Sequence, residues 1–259
     1  MSLALNLALV QTDLHWESPQ KNRDQITAQL KELPSTVDLI VLPEMFSTGF
    51  SMRPSELYES MHGTTVKWML ALALQKDAAV MGSLIIKEQG HFYNRLLFVE
   101  PSGKISTYDK RHRFTLAGED QVYSAGTSQQ IVEYKGWRIC PLVCYDLRFP
   151  VWARNTENYD VLVYVANWPI PRINAWNNLL QARAIENMSY CIGVNRVGTD
   201  PNGYEYSGNS IAIDYLGNAL TEVCEQQSKV ILTKLLKEPM LLTRDKLGFL
   251  KDMDAFKLA

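Results

Sequence analysis

The chain alternates between short apolar runs and longer segments whose apolar residues recur at helical spacing. Short, mostly apolar runs predict strands. They fall at residues 3–11, 37–42, 78–86, 92–100, 104–108, 130–134, 137–143, 160–166, 190–197, 208–214, 219–224 and 229–236. Helical spacing predicts helices over residues 18–33, 64–76 and 172–188. Several runs are apolar on both faces, which is typical of a central sheet covered on more than one side.

Turn and loop signals lie between these elements. Lys135-Gly136 separates two strand-like runs and predicts a hairpin. Residues 115–128 form a long polar segment, and loops of this length in a compact domain are usually functional or disordered. The alternation predicts an α/β protein with a mixed sheet, or two sheets, covered by helices. Because no repeat or linker interrupts it, we expect one domain over residues 1–259, in which 239–259 form a C-terminal helix and arm.

Composition narrows the class of protein. Of the 259 residues, 46% are hydrophobic and 21% charged, as in an ordinary globular protein with a large core. The net charge of −2 gives no electrostatic reason to expect a nucleic-acid partner. No apolar run reaches the roughly 18 residues that would predict a membrane span. The apolar N-terminus has neither a basic region nor a cleavage site, so we expect a first strand rather than a signal peptide.

The four cysteines are few for a chain of this length, and none forms a C-x-x-C pair. They are Cys140, Cys144, Cys191 and Cys224, and all but the last lie in strongly apolar surroundings. This pattern is typical of reduced thiols rather than a disulfide framework, so we expect a cytoplasmic protein.

Three predicted strands end in reactive groups. Glu44 follows the run 37–42, Lys110 follows the run 104–108, and Cys144 follows the run 137–143. Side chains at neighbouring strand ends can converge on one pocket, the usual place for a ligand in an open α/β sheet.

Cys144 is the candidate nucleophile among these groups. A thiol is weakly ionised at neutral pH unless a base or a positive dipole assists it. Glu44 could take its proton, and a helix expected from Pro150 could favour the thiolate. The alternative is a small buried apolar residue, which describes most free cysteines. Cys140, inside the same strand, is expected to be core packing.

The acids and the lysine each have a second interpretation. Glu44 follows an apolar run and Pro43, where poor solvation suits a general base, but it could equally be a strand-end carboxylate paired with a lysine. Lys110 could stabilise an oxyanion, or belong to a solvated basic turn. Glu119 lies in the long polar segment, where an exposed acid is ordinary. His112 is a possible partner for Cys144, but no local cysteine-protease signature supports this interpretation.

Taken together, these segments resemble the signature segments of the carbon-nitrogen hydrolase (nitrilase) superfamily. The three signatures are L-P-E at residues 42–44, Y-D-K-R-H at 108–112 and V-C-Y-D-L-R-F-P at 143–150. Further similar segments are V-A-N-W-P at 165–169, A-R-A-I-E-N at 182–187 and N-R-V-G at 195–198. The resemblance extends from the first strand to about Leu232.

The resemblance implies both a fold and a set of roles. Members fold as a four-layer α-β-β-α sandwich with two β-sheets, usually form dimers through one helical layer, and use no metal or cofactor. It implies that Glu44 is the general base, Cys144 the nucleophile and Lys110 the oxyanion stabiliser. Glu119 matches the second glutamate that positions the other groups, and the backbone N–H of Tyr145 would complete the oxyanion hole.

Within the superfamily the chain is most similar to the bacterial omega-amidase branch. The segments that carry this likeness are E-M-F-S-T-G-F at 44–50, F-P-V-W at 149–152 and A-N-W-P at 166–169. This implies hydrolysis of the terminal amide of a small dicarboxylic acid monoamide, of the 2-oxoglutaramate or succinamate type, through a cysteine thioester. The alternatives are an N-carbamoyl amide hydrolase or a nitrilase of the same superfamily, and a catalytically silent binding scaffold.

Three residues and one helix complete the expectations. Arg113 stands where relatives more often carry an apolar residue. It could bind the substrate's carboxylate or be a surface replacement, and we favour the surface interpretation. Trp168 and Phe46 are expected as pocket walls, with core packing as the alternative. The helix over 172–188 should have an apolar face to cover, which agrees with a homodimer.

Overall fold

A computed structural model describes residues 3–257 of the chain. Within this range the strands are β1 (Ala4–Gln11), β2 (Leu39–Val41), β3 (Ala79–Glu88), β4 (His91–Val99), β5 (Ile105–Asp109), β6 (Val132–Tyr134), β7 (Trp137–Val143), β8 (Val161–Ala166), β9 (Tyr190–Asn195), β10 (Val197–Thr199), β11 (Glu205–Ser207), β12 (Ile211–Ile213) and β13 (Lys229–Leu236). The α-helices are α1 (Pro19–Gln29), α2 (Pro54–Leu57), α3 (Thr64–Lys76), α4 (Glu119–Val122), α5 (Pro150–Ala153), α6 (Ile173–Asn187) and α7 (Lys237–Leu247). Short 3-10 helices lie at Thr115–Ala117, Cys144–Arg148, Ile170–Arg172 and Phe249–Asp252. No helix in the described range has the length and apolar character needed to cross a membrane.

Most of these strands belong to two mixed sheets. The first has the order β13-β1-β2-β3-β4-β5, with β1, β2 and β3 parallel and the outer neighbours antiparallel. The second has the order β12-β9-β8-β7-β6, with β7, β8 and β9 parallel. Strands β10 and β11 form a separate ribbon. The hairpin predicted around Lys135-Gly136 is confirmed as the antiparallel pair β6–β7.

Side chains of the central strands alternate between two apolar layers. In β1, Leu7 and Leu9 belong to the core between the sheets, whereas Ala8 and Val10 belong to the layer that includes α1 and α3. Each strand therefore reads as a continuous apolar run, because both of its faces are covered. These continuous apolar runs are the pattern from which the strands are predicted in the sequence.

The second sheet is covered on its outer face by α6. Trp176 and Leu180 of this helix are fully buried. Gly193 of β9 permits their close approach, since a Cβ there would lie 2.5 Å from Leu180 Cδ1 and 2.7 Å from Trp176 Cζ2. The order of layers is helix, sheet, sheet, helix, and the predicted four-layer sandwich is confirmed.

Some predicted elements differ from the structure. Residues 219–224 form no strand, because only isolated bridges such as Ile213 with Ala219 connect this segment to its neighbours. Leu220 and Val223 are consequently exposed rather than packed in a sheet. Leu74, an apolar residue within the predicted helix 64–76, is also exposed.

The segments at the two ends of the chain are only partly described. The predicted tail helix is present as α7, followed by the short helix Phe249–Asp252. Residues 258–259 of the expected arm, and residues 1–2 before the first strand, lie outside the described residues.

The contact between α6 and β9 leads to a stability prediction. Gly193→Ala should lower the free energy of unfolding by about 1–3 kcal/mol, because the added methyl overpacks against Leu180 and Trp176. Urea unfolding measures the change. Leu180→Ala removes the nearest atoms, so the double variant should lose less stability than the two single losses added together. Strict additivity would contradict the close packing.

Candidate active site

Side chains from several strand ends meet at one edge of the sandwich. Glu44 lies three residues beyond β2, Lys110 directly follows β5 and Cys144 directly follows β7. All three line a single cavity of about 560 Å³. The structure therefore brings together Glu44 and Cys144, which are 100 positions apart in the sequence.

The Glu44 carboxylate is fully buried and accepts several hydrogen bonds. Its Oε1 atom accepts from Lys110 Nζ at 2.9 Å and from Asn94 Nδ2 at 2.8 Å. Its Oε2 atom accepts from the backbone N–H of Asn167 at 2.9 Å. The next residue, Met45, has φ +44°, so the chain turns sharply immediately after the carboxylate. Glu44 is thus held in one orientation toward the cavity.

Lys110 lies between two carboxylates. Its Nζ atom is 2.9 Å from Glu44 Oε1 and 2.8 Å from Glu119 Oε2, and the side chain is only 1% exposed. Burial alone would lower the pKa of Lys110, but the charges of Glu119 and Glu44 outweigh it and the pKa lies above its ordinary value. The ammonium is therefore permanent at neutral pH, and the interpretation of Lys110 as part of a solvated basic turn is wrong.

Glu119 is buried at the start of α4, so the interpretation as an exposed acid is also wrong. Besides binding Lys110, its carboxylate accepts the backbone N–H of Phe114 at 2.5 Å and Asn94 Nδ2 at 3.2 Å. Burial raises the pKa of Glu119, Lys110 opposes that rise, and the nearby charge of Glu44 adds to it. The polar segment 115–128 thus supplies a carboxylate that holds the lysine.

Cys144 sits at a sharp turn. It ends β7 and begins the short helix Cys144–Arg148 with φ +43°, a left-handed value that is unfavourable for a non-glycine residue. Its Sγ atom is 4.0 Å from the backbone oxygen of Asn167. Cys140, four residues earlier, is fully buried in the core between the sheets, as predicted. The turn separates the cavity thiol from the core thiol.

The surroundings of Cys144 favour the protonated thiol over the thiolate. Burial, and next the charge of Glu44, raise its pKa well above the ordinary value, while Lys110 acts in the opposite direction. The expectation that a helix from Pro150 favours the thiolate is wrong, since α5 is a single turn of four residues. Such a turn has too small a dipole to offset the burial of the thiol. A reaction of this thiol would therefore need a base to remove its proton, and the Glu44 carboxylate lines the same cavity.

The Asp146 carboxylate holds the turn that carries the thiol. Asp146 Oδ2 accepts the backbone N–H of Val143 at 3.1 Å and the Tyr108 hydroxyl at 2.7 Å. Its Oδ1 atom pairs with His112 Nδ1 at 2.7 Å, and the His112 ring stacks on Phe149 with 3.7 Å between centroids. His112 therefore supports the turn from the side and is not a partner for Cys144.

The predicted substrate-binding residues divide into two groups. Tyr145 and Trp168 line the cavity. Phe46 does not, because it is buried beneath the first sheet, 5.7 Å from the Trp68 ring and against Gly82. Arg113 is also absent from the wall, and its Nη1 atom donates to the backbone oxygen of Tyr123 at 3.2 Å. Its half-buried position contradicts the surface interpretation as well.

Sequence reasoning missed several residues of this site. Asn94 bridges the two glutamates from the middle of β4, and Asn167 fixes Glu44 from the end of β8. A buried amide in an apolar strand was the available signal, since buried polar groups need partners. Phe50, Arg148 and Arg172 line the cavity without any pattern in the sequence that marks them.

Comparisons with known proteins agree with this geometry. A family model described as carbon-nitrogen hydrolase matches residues 6–238. Omega-amidase YafV of Yersinia enterocolitica is 43% identical over 256 residues, which cover 98% of each chain. The 2-oxoglutaramate amidase of Bacillus subtilis is 31% identical over 221 residues, covering 83% of this chain and 85% of that protein.

A solved structure shares the whole fold. XC1258 of Xanthomonas campestris, a CN-hydrolase superfamily protein with an arsenic adduct in its active site, is similar with a TM-score of 0.96 at 40% identity, and 99% of each chain is covered. The chain therefore belongs to the carbon-nitrogen hydrolase (nitrilase) superfamily, whose enzymes hydrolyse carbon–nitrogen bonds other than peptide bonds.

Proposed function

We propose that this enzyme is an omega-amidase, which hydrolyses the terminal amide of a small dicarboxylic acid monoamide to the acid and ammonia. The substrates are of the 2-oxoglutaramate or succinamate type, in keeping with the omega-amidase and 2-oxoglutaramate amidase names of its relatives. The observation that carries the proposal is that the Cys144 thiol shares one cavity with Glu44 and Lys110, whose ammonium is also paired with Glu119.

The first half-reaction transfers the acyl group to Cys144. Glu44 accepts the thiol proton as Sγ forms a bond to the amide carbon. Lys110 Nζ and the backbone N–H of Tyr145 stabilise the resulting oxyanion, a contribution of about 3 kcal/mol per donor in comparable sites. Glu44 then donates its proton to the nitrogen, the carbon–nitrogen bond breaks, and ammonia leaves a thioester on Cys144.

The second half-reaction releases the acid. A water molecule occupies the place that ammonia has left, and Glu44 accepts its proton as the oxygen attacks the thioester carbon. The carbon–sulfur bond breaks, the proton passes from Glu44 to Sγ, and the site returns to its resting state. Glu119 and Asn94 take no proton in this scheme, since their role is to hold Lys110 and Glu44 in place.

The thiol that carries the acyl group gives the first test. Cys144→Ala should lower kcat/KM for 2-oxoglutaramate by at least about 1,000-fold, measured as ammonia release, because the covalent route is lost. Cys140→Ala is the matched control, since it removes a thiol from the same strand without touching the cavity. Comparable losses in both variants, or none in either, would contradict the assignment.

The protonation state of the thiol gives the second test. Because the pKa of Cys144 is raised, its thiolate should form only above the ordinary thiol pKa of about 8.5, so the thiol stays protonated at neutral pH. The difference in ultraviolet thiolate absorbance between wild type and Cys144→Ala, followed against pH, isolates this group from the other cysteines. A thiolate signal at or below pH 7 would contradict a thiol that waits for a general base.

We also propose that the protein is a homodimer. The apolar residues of α6 largely pack on the chain's own second sheet, but Ile185 is 50% exposed. Ile185 contacts the turn at Gly217, where neighbouring Leu216 is 51% exposed. These two side chains form a small outward apolar patch on the outer helical layer, which suits an interface between copies of the chain.

The patch leads to a prediction about association. Ile185→Glu should convert a dimer to a monomer in light scattering at micromolar concentration, because the charge would be buried in an apolar interface. Leu74→Glu is the control, since Leu74 is exposed on the opposite helical layer and should leave the dimer intact. A wild-type protein that is monomeric at that concentration would contradict the proposal.

We also propose that the protein works in the reducing cytoplasm and that the chain is one catalytic domain. The support is chemical: all four cysteines are free, and Cys144 must stay a thiol to react. The family match from residue 6 to residue 238 supports a single domain, with α7 continuing from its end.

A further inference from the structure

The cavity above Cys144 is lined by arginines that differ in their partners. Arg53 is neutralised, because it pairs with Glu17 Oε2 at 2.7 Å and also with Glu56. Arg148 and Arg172 line the same cavity, yet within residues 3–257 neither guanidinium makes an ion pair or a side-chain hydrogen bond. These two cations are therefore available to an anion in the cavity.

Aromatic rings hold both guanidinium groups in place. Arg148 Cζ is 5.0 Å from the Trp168 ring centroid, and Arg172 Cζ is 5.1 Å from that of Phe114. Trp168 Nε1 also donates to the backbone oxygen of Arg172 at 2.7 Å, which links the two arginines through one side chain. Stacking occupies the face of a guanidinium and leaves its N–H groups free to bind a planar anion.

Asp200, an acid that also lines the cavity, does not neutralise the pair. The Asp200 carboxylate lines the cavity but accepts the Tyr206 hydroxyl at 2.8 Å and the backbone N–H of Asn202 at 2.9 Å. Asp200 therefore bonds to residues of its own segment and does not pair with Arg148 or Arg172. The wall keeps its positive charge.

The base of the cavity has the opposite polarity. There, Glu44 and Lys110 line the cavity, and Glu119 pairs with Lys110 without lining it, so this cluster holds one more carboxylate than ammonium. A neutral amide can occupy that base, whereas a carboxylate would be repelled. A substrate with an amide at one end and a carboxylate at the other therefore fits in a single orientation.

We propose that Arg148 and Arg172 bind the carboxylate of the substrate and determine the specificity for dicarboxylic acid monoamides. This role replaces the one considered for Arg113. The inference rests on the proposed amidase function and adds to it the residues that select the acidic end of the substrate. Guanidinium groups suit a carboxylate because their N–H donors match its two oxygens.

The test compares an acidic amide with a neutral one of similar shape. Succinamate carries the carboxylate, and levulinamide replaces it with a methyl ketone. Arg148→Met and Arg172→Met should each lower kcat/KM for succinamate by roughly 10- to 100-fold, the usual cost of a lost hydrogen bond to a charged group, and change that for levulinamide little. Ammonia release measures both reactions.

Arg111→Met is the matched control. Arg111 also stacks on a tryptophan, 4.5 Å from the Trp152 ring, but it lies outside the catalytic cavity. It should leave the preference for succinamate unchanged, which separates direct binding from a general loss of positive charge. An equal loss in Arg111→Met would overturn the proposal.

The failures of the two proposals can be told apart. Wild-type enzyme that hydrolyses both amides equally well, or arginine variants that lose both activities in parallel, would overturn the arginine assignment while leaving the amidase function in place. Wild-type enzyme that hydrolyses neither amide would overturn the amidase function and this assignment with it. Circular dichroism confirms that each variant is folded before it is assayed.

Discussion

The site depends on one buried cation held between two buried carboxylates. Lys110 is almost completely removed from solvent, and Glu44 and Glu119 are fully so. Taking three charges out of water is costly, and removing any one of them would leave an uncompensated charge in the interior. Asn94 and the Phe114 N–H satisfy remaining oxygens of the pair. The cluster is therefore a single unit, and two of its members, Glu44 and Lys110, line the cavity together with Cys144.

The two sheets supply the rigidity that this cluster needs. Glu44 and Cys144 both lie at the ends of strands that are buried on two faces. Met45, which follows Glu44, and Cys144 itself both have a left-handed backbone conformation. Such conformations persist only where the surrounding structure enforces them. At Cys144 the enforcement comes from Asp146, whose carboxylate binds the backbone on one side of the turn and Tyr108 on the other. The strain thus aims the thiol at the cavity rather than into the core.

Sequence reasoning reached the parts of this arrangement that have a local signal. A strand buried on both faces is a continuous apolar run, so the strands that end near Glu44, Lys110 and Cys144 could be placed without a structure. The burial of Lys110 and Glu119 could not, because each lies in a polar segment that is typical of exposed turns. Some residues of the cavity wall could not be predicted, for a similar reason. Whether Phe46 faces the core, and whether Arg148 lacks a partner, depends on contacts between distant segments. The family resemblance supplied the order of the reactive residues, but it gave no information about these contacts.

In the proposed mechanism, Cys144 carries the acyl group while Glu44 moves the protons. Rapid acid quenching of the enzyme during turnover of 2-oxoglutaramate, followed by peptide mass mapping, tests it most directly. We expect an acyl adduct on the peptide that contains Cys144, and its loss when hydroxylamine is added to cleave the thioester. Steady turnover with an adduct on a different residue, or with water oxygen entering the acid while no adduct forms at any quench time, would contradict it.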